Sequence, residues 1–312
     1  MDSPSVTPSC GYRTFSSSPA RRSSWQRPAC RSVARRVPPS MPPDADLEGE
    51  YSPSSVSKHP AAWYVEEYAR RSSAVLADLG TRVGREHYGS GVDEYVVLAR
   101  HTPTSPLLVF IHGGYWQALS ADQCSMWAAD ALSLGFSFAS INYTLAPTAT
   151  LERIVVQCRT ALEWLTDKAG LRPARTVVAG SSAGGHLAAM VTTASPRPTG
   201  CHAAILLSGV FDLRPLVPTT VNEPLGLTVP DAVRLSPAHT AVTPVPLVRA
   251  FVGEEETDAF KAQSNAYVAK LGAAGVDATS RVVAGRDHFD LIYDLVTPGT
   301  EIGDTTTAVL RA

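Results

Sequence analysis

The sequence predicts an α/β domain built on a mostly parallel sheet with helices on both faces. Short, uninterrupted apolar runs recur along the chain, as in strands buried on both faces. Segments with apolar residues at helical spacing separate several of them, and strand–helix alternation of this kind builds parallel sheets. With 312 residues and 44% hydrophobic content, the chain can form one core large enough to cover such a sheet.

The elements follow in order. Trp63 to Leu79 carries apolar residues at helical spacing and is stopped by Gly80. Glu94–Ala99 reads as a strand, and Pro103 and Pro106 punctuate the turn after it. Leu107–Ile111, Phe136–Ile141, Thr176–Ala179, Ala203–Leu207, Leu247–Val252 and Thr279–Val283 are the further strands. Ile154–Leu165, Ser182–Val191 and Ala259–Leu271 are the intervening helices. Between Phe211 and Pro246 the pattern breaks. Pro215, Pro218, Pro224, Pro230, Pro237, Pro244 and Pro246 rule out long regular elements there. A long irregular insertion inside a compact domain is usually functional, and this one is expected to act as a lid.

Two regions are expected: a tail, 1–50, and a folded domain, 51–312. The tail is rich in Ser, Pro and Arg, lacks apolar periodicity and reads as disordered. Its first forty residues hold seven Arg against Asp2 alone, +6, so with a net charge of -2 the remainder carries -8. Two readings of this basic, acid-poor stretch compete. It resembles an organelle transit peptide, or translation begins at Met41, where the composition changes. No apolar h-region marks a secretory signal. The expected compartment is the cytoplasm, or an organelle if the tail directs import.

Composition excludes several functions. No run of about 18 apolar residues exists, so no membrane span is expected. A pI near 6.4 gives no global attraction to nucleic acid. Of the five cysteines, Cys10 and Cys30 lie in the tail, while Cys124, Cys158 and Cys201 are far apart with no CxxC spacing. Buried thiols are expected rather than disulfides or zinc. No cofactor is implied; His112, His186 and His288 show no metal spacing.

Chemistry concentrates in three places. Strand Thr176–Ala179 runs into Gly180-Ser181-Ser182-Ala183-Gly184 and then a helix. This is a G-x-S-x-G turn in a strand-to-helix context, which exposes the central serine as a nucleophile. Directly after strand Leu107–Ile111 comes His112-Gly113-Gly114, where backbone N–H groups can approach a developing oxyanion. Gly113, Gly114 and Ala183 are the candidate donors, and His112 is expected to brace the loop. His288, in Gly285-Arg286-Asp287-His288-Phe289, is the only histidine after the insertion. The order serine, acid, histidine makes it the candidate base, with His239, set among prolines, as its nearest competitor. The acid is expected after strand Leu247–Val252, where Glu254, Glu255, Glu256 and Asp258 crowd together. A turn of Gly253 plus two residues favours Glu256. Asp258 stays the alternative, or caps the following helix.

The segment His112-Gly113-Gly114-Tyr115-Trp116-Gln117 resembles the oxyanion segment of the kynurenine formamidases (arylformamidases) of the α/β-hydrolase superfamily. Asn142-Tyr143-Thr144-Leu145-Ala146-Pro147 is similar to that family too. So are the elbow's continuation into Gly185-His186-Leu187-Ala188, Glu256 with Phe260, Gln263 and Ser264, and Asp287-His288-Phe289-Asp290. The resemblance runs from about Tyr51 to the C-terminus. It implies an α/β-hydrolase fold with Ser182 as nucleophile, Glu256 as acid and His288 as base. The family often has Asp at the acid position, which keeps Asp258 in play. Many members have His where this chain has Ser181. Tyr115 and Trp116 look like aromatic walls for a flat small-molecule substrate, with core packing as the competing role. The implied activity is hydrolysis of formamides of the N-formyl-kynurenine type. Alternatives are a carboxylesterase or amidase on another small substrate, or a catalytically inactive binding protein, against which the complete residue set argues. Nothing in the sequence speaks to oligomeric state.

Overall fold

The computed structural model describes residues 45–194, 200–243, 245 and 247–312. The transit-peptide and alternative-start readings, Cys10 and Cys30, and Pro244 and Pro246 of the insertion lie outside the described residues. Composition assigns residues 45–50 to the disordered tail, but they form helix α1 (Ala45–Glu50). Leu47 packs against the core, and the Glu50 carboxylate accepts the backbone N–H of Ala259 at 2.9 Å. These contacts offset the ordering entropy that a free polar segment cannot recover.

Eight strands form one sheet: β1 (Val83–His87), β2 (Tyr95–Ala99), β3 (Leu107–Ile111), β4 (Ser137–Ile141), β5 (Thr176–Ser181), β6 (Cys201–Leu207), β7 (Leu247–Gly253) and β8 (Asp277–Val283). Their spatial order is β1-β2-β4-β3-β5-β6-β7-β8. Only β2 runs against its neighbours; every pair from β4 to β8 is parallel. The central strands are mostly apolar because both faces are covered. On one face Leu107, Val109 and Ile111 pack under α4 (Leu151–Asp167), α5 (Ala183–Thr192) and α7 (Asp258–Ala273). On the other, Leu108 and Phe110 meet α2 (Ala61–Leu79), α3 (Ala128–Ser133) and α8 (Glu301–Arg311). This is the two-faced core that the apolar runs predict.

Three elements escape the sequence pattern. β1 is a partly exposed edge strand of Val-Gly-Arg-Glu-His, held by antiparallel pairing to β2 rather than by an apolar run of its own. α3 spans only six residues. α8 buries Gly303 and Thr306 along with Ile302, Val309 and Leu310, which weakens its apolar stripe. Among its described residues the insertion contains short turns and α6 (Val229–Arg234). A capping box between Thr228 and Asp231 starts α6 where Pro230 sits in the first turn. No described helix is long and apolar enough to cross a membrane.

Register places the site. Ile111 of β3 lies beside Gly180 of β5, Ser181 beside Leu207 of β6, Leu207 beside Phe251 of β7, and Gly253 beside Val283 of β8. The strands therefore end together, and the loops after β3, β5, β6, β7 and β8 share one edge. In open α/β sheets ligands bind at this carboxyl edge.

Candidate active site

Ser182 sits between β5 and α5 at φ 56°, ψ −121°, a backbone conformation that a non-glycine residue holds only under tertiary constraint. Its N–H donates to Leu207 O at 2.8 Å, and its carbonyl accepts from His186 N–H at 3.1 Å. The glycines around it permit the crossing. A Cβ at Gly184 would lie 2.0 Å from Ile111 O, and one at Gly180 would lie 2.2 Å from Gly184 O. Ala183 opens the helix, so its N–H has no intrahelical acceptor.

The loop after β3 lies against this turn. A Cβ at Gly113 would come 2.8 Å from Ser181 O and 3.3 Å from the Ser182 Cβ. Gly114 has φ 91°, in the region that favours glycine. Tyr143 braces the loop from behind by donating its hydroxyl to His112 O at 2.9 Å, and its ring stacks on the His112 imidazole at 4.2 Å. His112 is fully buried, and burial pushes its pKa down to about 4.

His288 follows β8 and is buried, with its Nδ1 2.7 Å from Glu256 Oε2. With a carboxylate as acceptor, Nδ1 carries the hydrogen. The other oxygen, Oε1, accepts from Gly253 N–H at 2.6 Å and from the Ser208 hydroxyl at 2.5 Å. Phe260 presents an edge to the imidazole at 4.5 Å. The three neighbouring acids go elsewhere. Glu254 accepts Gly285 N–H at 2.9 Å, Glu255 lies 3.4 Å from Lys58 Nζ, and Asp258 is exposed on the first turn of α7. His239 pairs instead with Asp212 at 3.1 Å.

A second carboxylate fixes the loop that carries His288. Asp287 is completely buried. Its Oδ1 accepts the N–H groups of Phe289 and Asp290 at 2.8 and 2.9 Å. Its Oδ2 accepts the Tyr64 hydroxyl at 2.6 Å and Lys58 N–H at 3.1 Å. Burial acts to raise its pKa, but these hydrogen bonds prevail and hold it below the usual carboxylate value. Asp290 Oδ1 returns the favour by accepting Asp287 N–H at 2.8 Å, while its Oδ2 meets Lys58 Nζ at 2.8 Å.

One cavity of about 410 Å³ collects these parts. Gly113, Gly114, Tyr115, Ser181, Ser182 and His288 all line it. Tyr68, Phe110 and Ile292 add apolar surface to its lining, which residues 51–54 with Thr220 and Val221 of the insertion share. Tyr115 also donates its hydroxyl to Tyr51 O at 2.5 Å. Trp116 is a correction. Of the two roles expected for it, substrate wall and core packing, it takes the second: it is fully buried, lies edge-on to His186 at 5.1 Å and does not line the cavity. Both residues have positive φ, 49° and 60°, and the tight turn sends the Tyr115 ring to the cavity and the Trp116 ring into the core. Ser208, Tyr64, Lys58 and the cavity lining from Glu48 and residues 51–54 went unnoticed in the sequence. None carries a motif, and only the tertiary fold joins them to the site. Among the described residues no group of three or more His, Cys, Asp or Glu side chains could hold a metal ion.

Fold and site together define a hydrolase of the α/β-hydrolase class. A family model for the alpha/beta hydrolase fold matches residues 108–290. A kynurenine formamidase from Danio rerio is 32% identical over 80% of this chain and 91% of its own length. One from Salmo salar is 30% identical over the same shares. Among solved structures, a putative thioesterase from Silicibacter sp. TM1040 superposes with a TM-score of 0.75 at 28% identity, covering 86% of this chain and 99% of that one. The chain belongs to the kynurenine formamidase-like family of α/β hydrolases.

Proposed function

We propose that this hydrolase cleaves aryl formamides of the N-formyl-kynurenine type with Ser182, His288 and Glu256 as its catalytic triad. The observation that carries the reading is the buried Glu256–His288 hydrogen bond of 2.7 Å, in a cavity that His288 shares with the strained Ser182. The kynurenine formamidases that match most of the chain support the choice of substrate.

The Ser182 Oγ attacks the formyl carbon, and His288 Nε2 takes its proton. The carbonyl oxygen becomes an oxyanion held by the N–H groups of Gly113, Gly114 and Ala183. Collapse breaks the C–N bond, and His288 returns the proton to the departing aniline nitrogen. The formyl group is then an ester of Ser182. A water gives its proton to His288 and attacks that ester, which releases formate and restores the serine. Glu256 fixes the imidazole tautomer and stabilises the imidazolium formed in both halves. An aniline leaves more readily than an alkyl amine, so an esterase-like site suffices.

The test compares N-formyl-kynurenine with short acyl nitrophenyl esters. Turnover of the formamide, lost by about three orders of magnitude or more in Ser182→Ala, is the expected result. Ester turnover without formamide turnover rejects the substrate and keeps the triad. Full activity in Ser182→Ala rejects the triad itself.

A further inference from the structure

The cavity is electrically one-sided. None of its lining residues is a lysine or arginine, and beside His288 its one ionisable carboxylate is Glu48. Glu48 reaches it from α1, the helix that composition assigns to the tail. Thr220 of the insertion holds the side chain, donating its N–H to Oε2 at 2.9 Å and its hydroxyl to Oε1. These two donors orient the carboxylate without neutralising it, since neither carries charge. No Lys, Arg or His pairs with Glu48 among the described residues. Each oxygen keeps acceptor capacity for a further donor. Apolar walls from Val65, Tyr68, Phe110 and Ile292 lower the local dielectric, so a carboxylate on the lining is felt across the cavity.

We propose that Glu48 is a specificity-determining anchor for an ammonium group on the part of the substrate remote from the scissile bond. An aryl amide bearing a free amine gains a charge-assisted hydrogen bond there. One bearing only a carboxylate meets like charge and no cation. The substrates selected are therefore cationic or zwitterionic aryl amides, such as those with an amino-acid side arm, and not anionic ones. The proposal rests on the cavity being the active site. It deepens the formamidase reading by fixing the charge of the substrate.

The experiment uses three formanilides that share one aryl ketone and differ in the side arm: an amine, an amino acid and a carboxylic acid. Wild-type kcat/KM should fall in that order, with amine over acid by about fivefold at low salt. In Glu48→Gln the amine-to-acid ratio should approach one, and Glu48→Asp should keep part of it. A well-folded Glu48→Gln enzyme that retains the full ratio overturns the proposal. Should that variant fail to fold, the wild type decides alone. Raising salt from about 0.02 to 0.5 M should shrink the ratio by screening, and a salt-independent ratio overturns the proposal. The same three side arms on aryl acetates run in parallel. Esters that follow the charge order while formamides are inert support the Glu48 anchor and reject the formamidase reading. Formamides cleaved without a charge order do the reverse.

Discussion

At the scale of single residues, the site is defined by what each acceptor receives. Glu256 binds His288 through one oxygen and Ser208 and Gly253 through the other, so rotating it away breaks three hydrogen bonds together. Glu256→Gln should keep the shape but offer an amide where Nδ1–H needs an acceptor, and kcat should fall by about 10⁴. A steady-state assay checks this, with Asp258→Asn as a control that should stay near wild type because Asp258 is exposed. Tyr64→Phe removes one hydrogen bond from the buried Asp287. Urea denaturation should show a loss of about 1.5–3 kcal/mol, the usual worth of a hydrogen bond to a charged group. The choice between Glu256 and Asp258 was open in the sequence because four acids fall within residues 254–258. Only the register of Gly253 against Val283 brings position 256 beside His288.

At the scale of elements, the turn from β5 to α5 depends on glycine for space rather than on its side chains for bonds. A methyl at Gly184 would overlap the backbone carbonyl of Ile111, which sits inside the sheet and cannot move aside. Gly184→Ala should therefore fail to give soluble, active enzyme, as read by expression and by labelling of Ser182 with a fluorophosphonate. Retained labelling at the wild-type rate would contradict the packing. The inner strands of the sheet were legible because they are buried on both faces and so are mostly apolar. β1 was not legible, since one of its sides has no partner strand and its residues are partly exposed. The pair Tyr115 and Trp116 was ambiguous for a similar reason. Adjacent residues in a turn of positive φ point to different surroundings, and composition does not say which ring enters the core.

At the scale of the whole molecule, two buried histidines tie stability to pH. Burial pushes the pKa values of His112 and His186 down to about 4, while in the unfolded chain they titrate near 6.5. Above about pH 6.5 both are neutral in either state, and the fold keeps its full stability. Between there and pH 4 the unfolded chain binds protons that the fold excludes, so stability falls as pH falls. The urea midpoint should drop across that window, and His186→Gln should make the drop shallower. An unchanged slope in that variant would mean that His186 is not excluded from protonation. The domain's outer boundary was the least legible feature. Glu48 and Thr220 stand 172 residues apart, and nothing local in either segment announces the other.

That distance also separates chemistry from choice. The proposed nucleophile, base and acid hang from strand ends that the sheet's register fixes, whereas another part of the cavity lining comes from Glu48 of α1, residues 51–54 and the insertion. Residues 48–54 contain none of the proposed catalytic groups. They can thus be exchanged like the jaw of a tool, changing which molecule is gripped while the cutting edge behind it stays as it was.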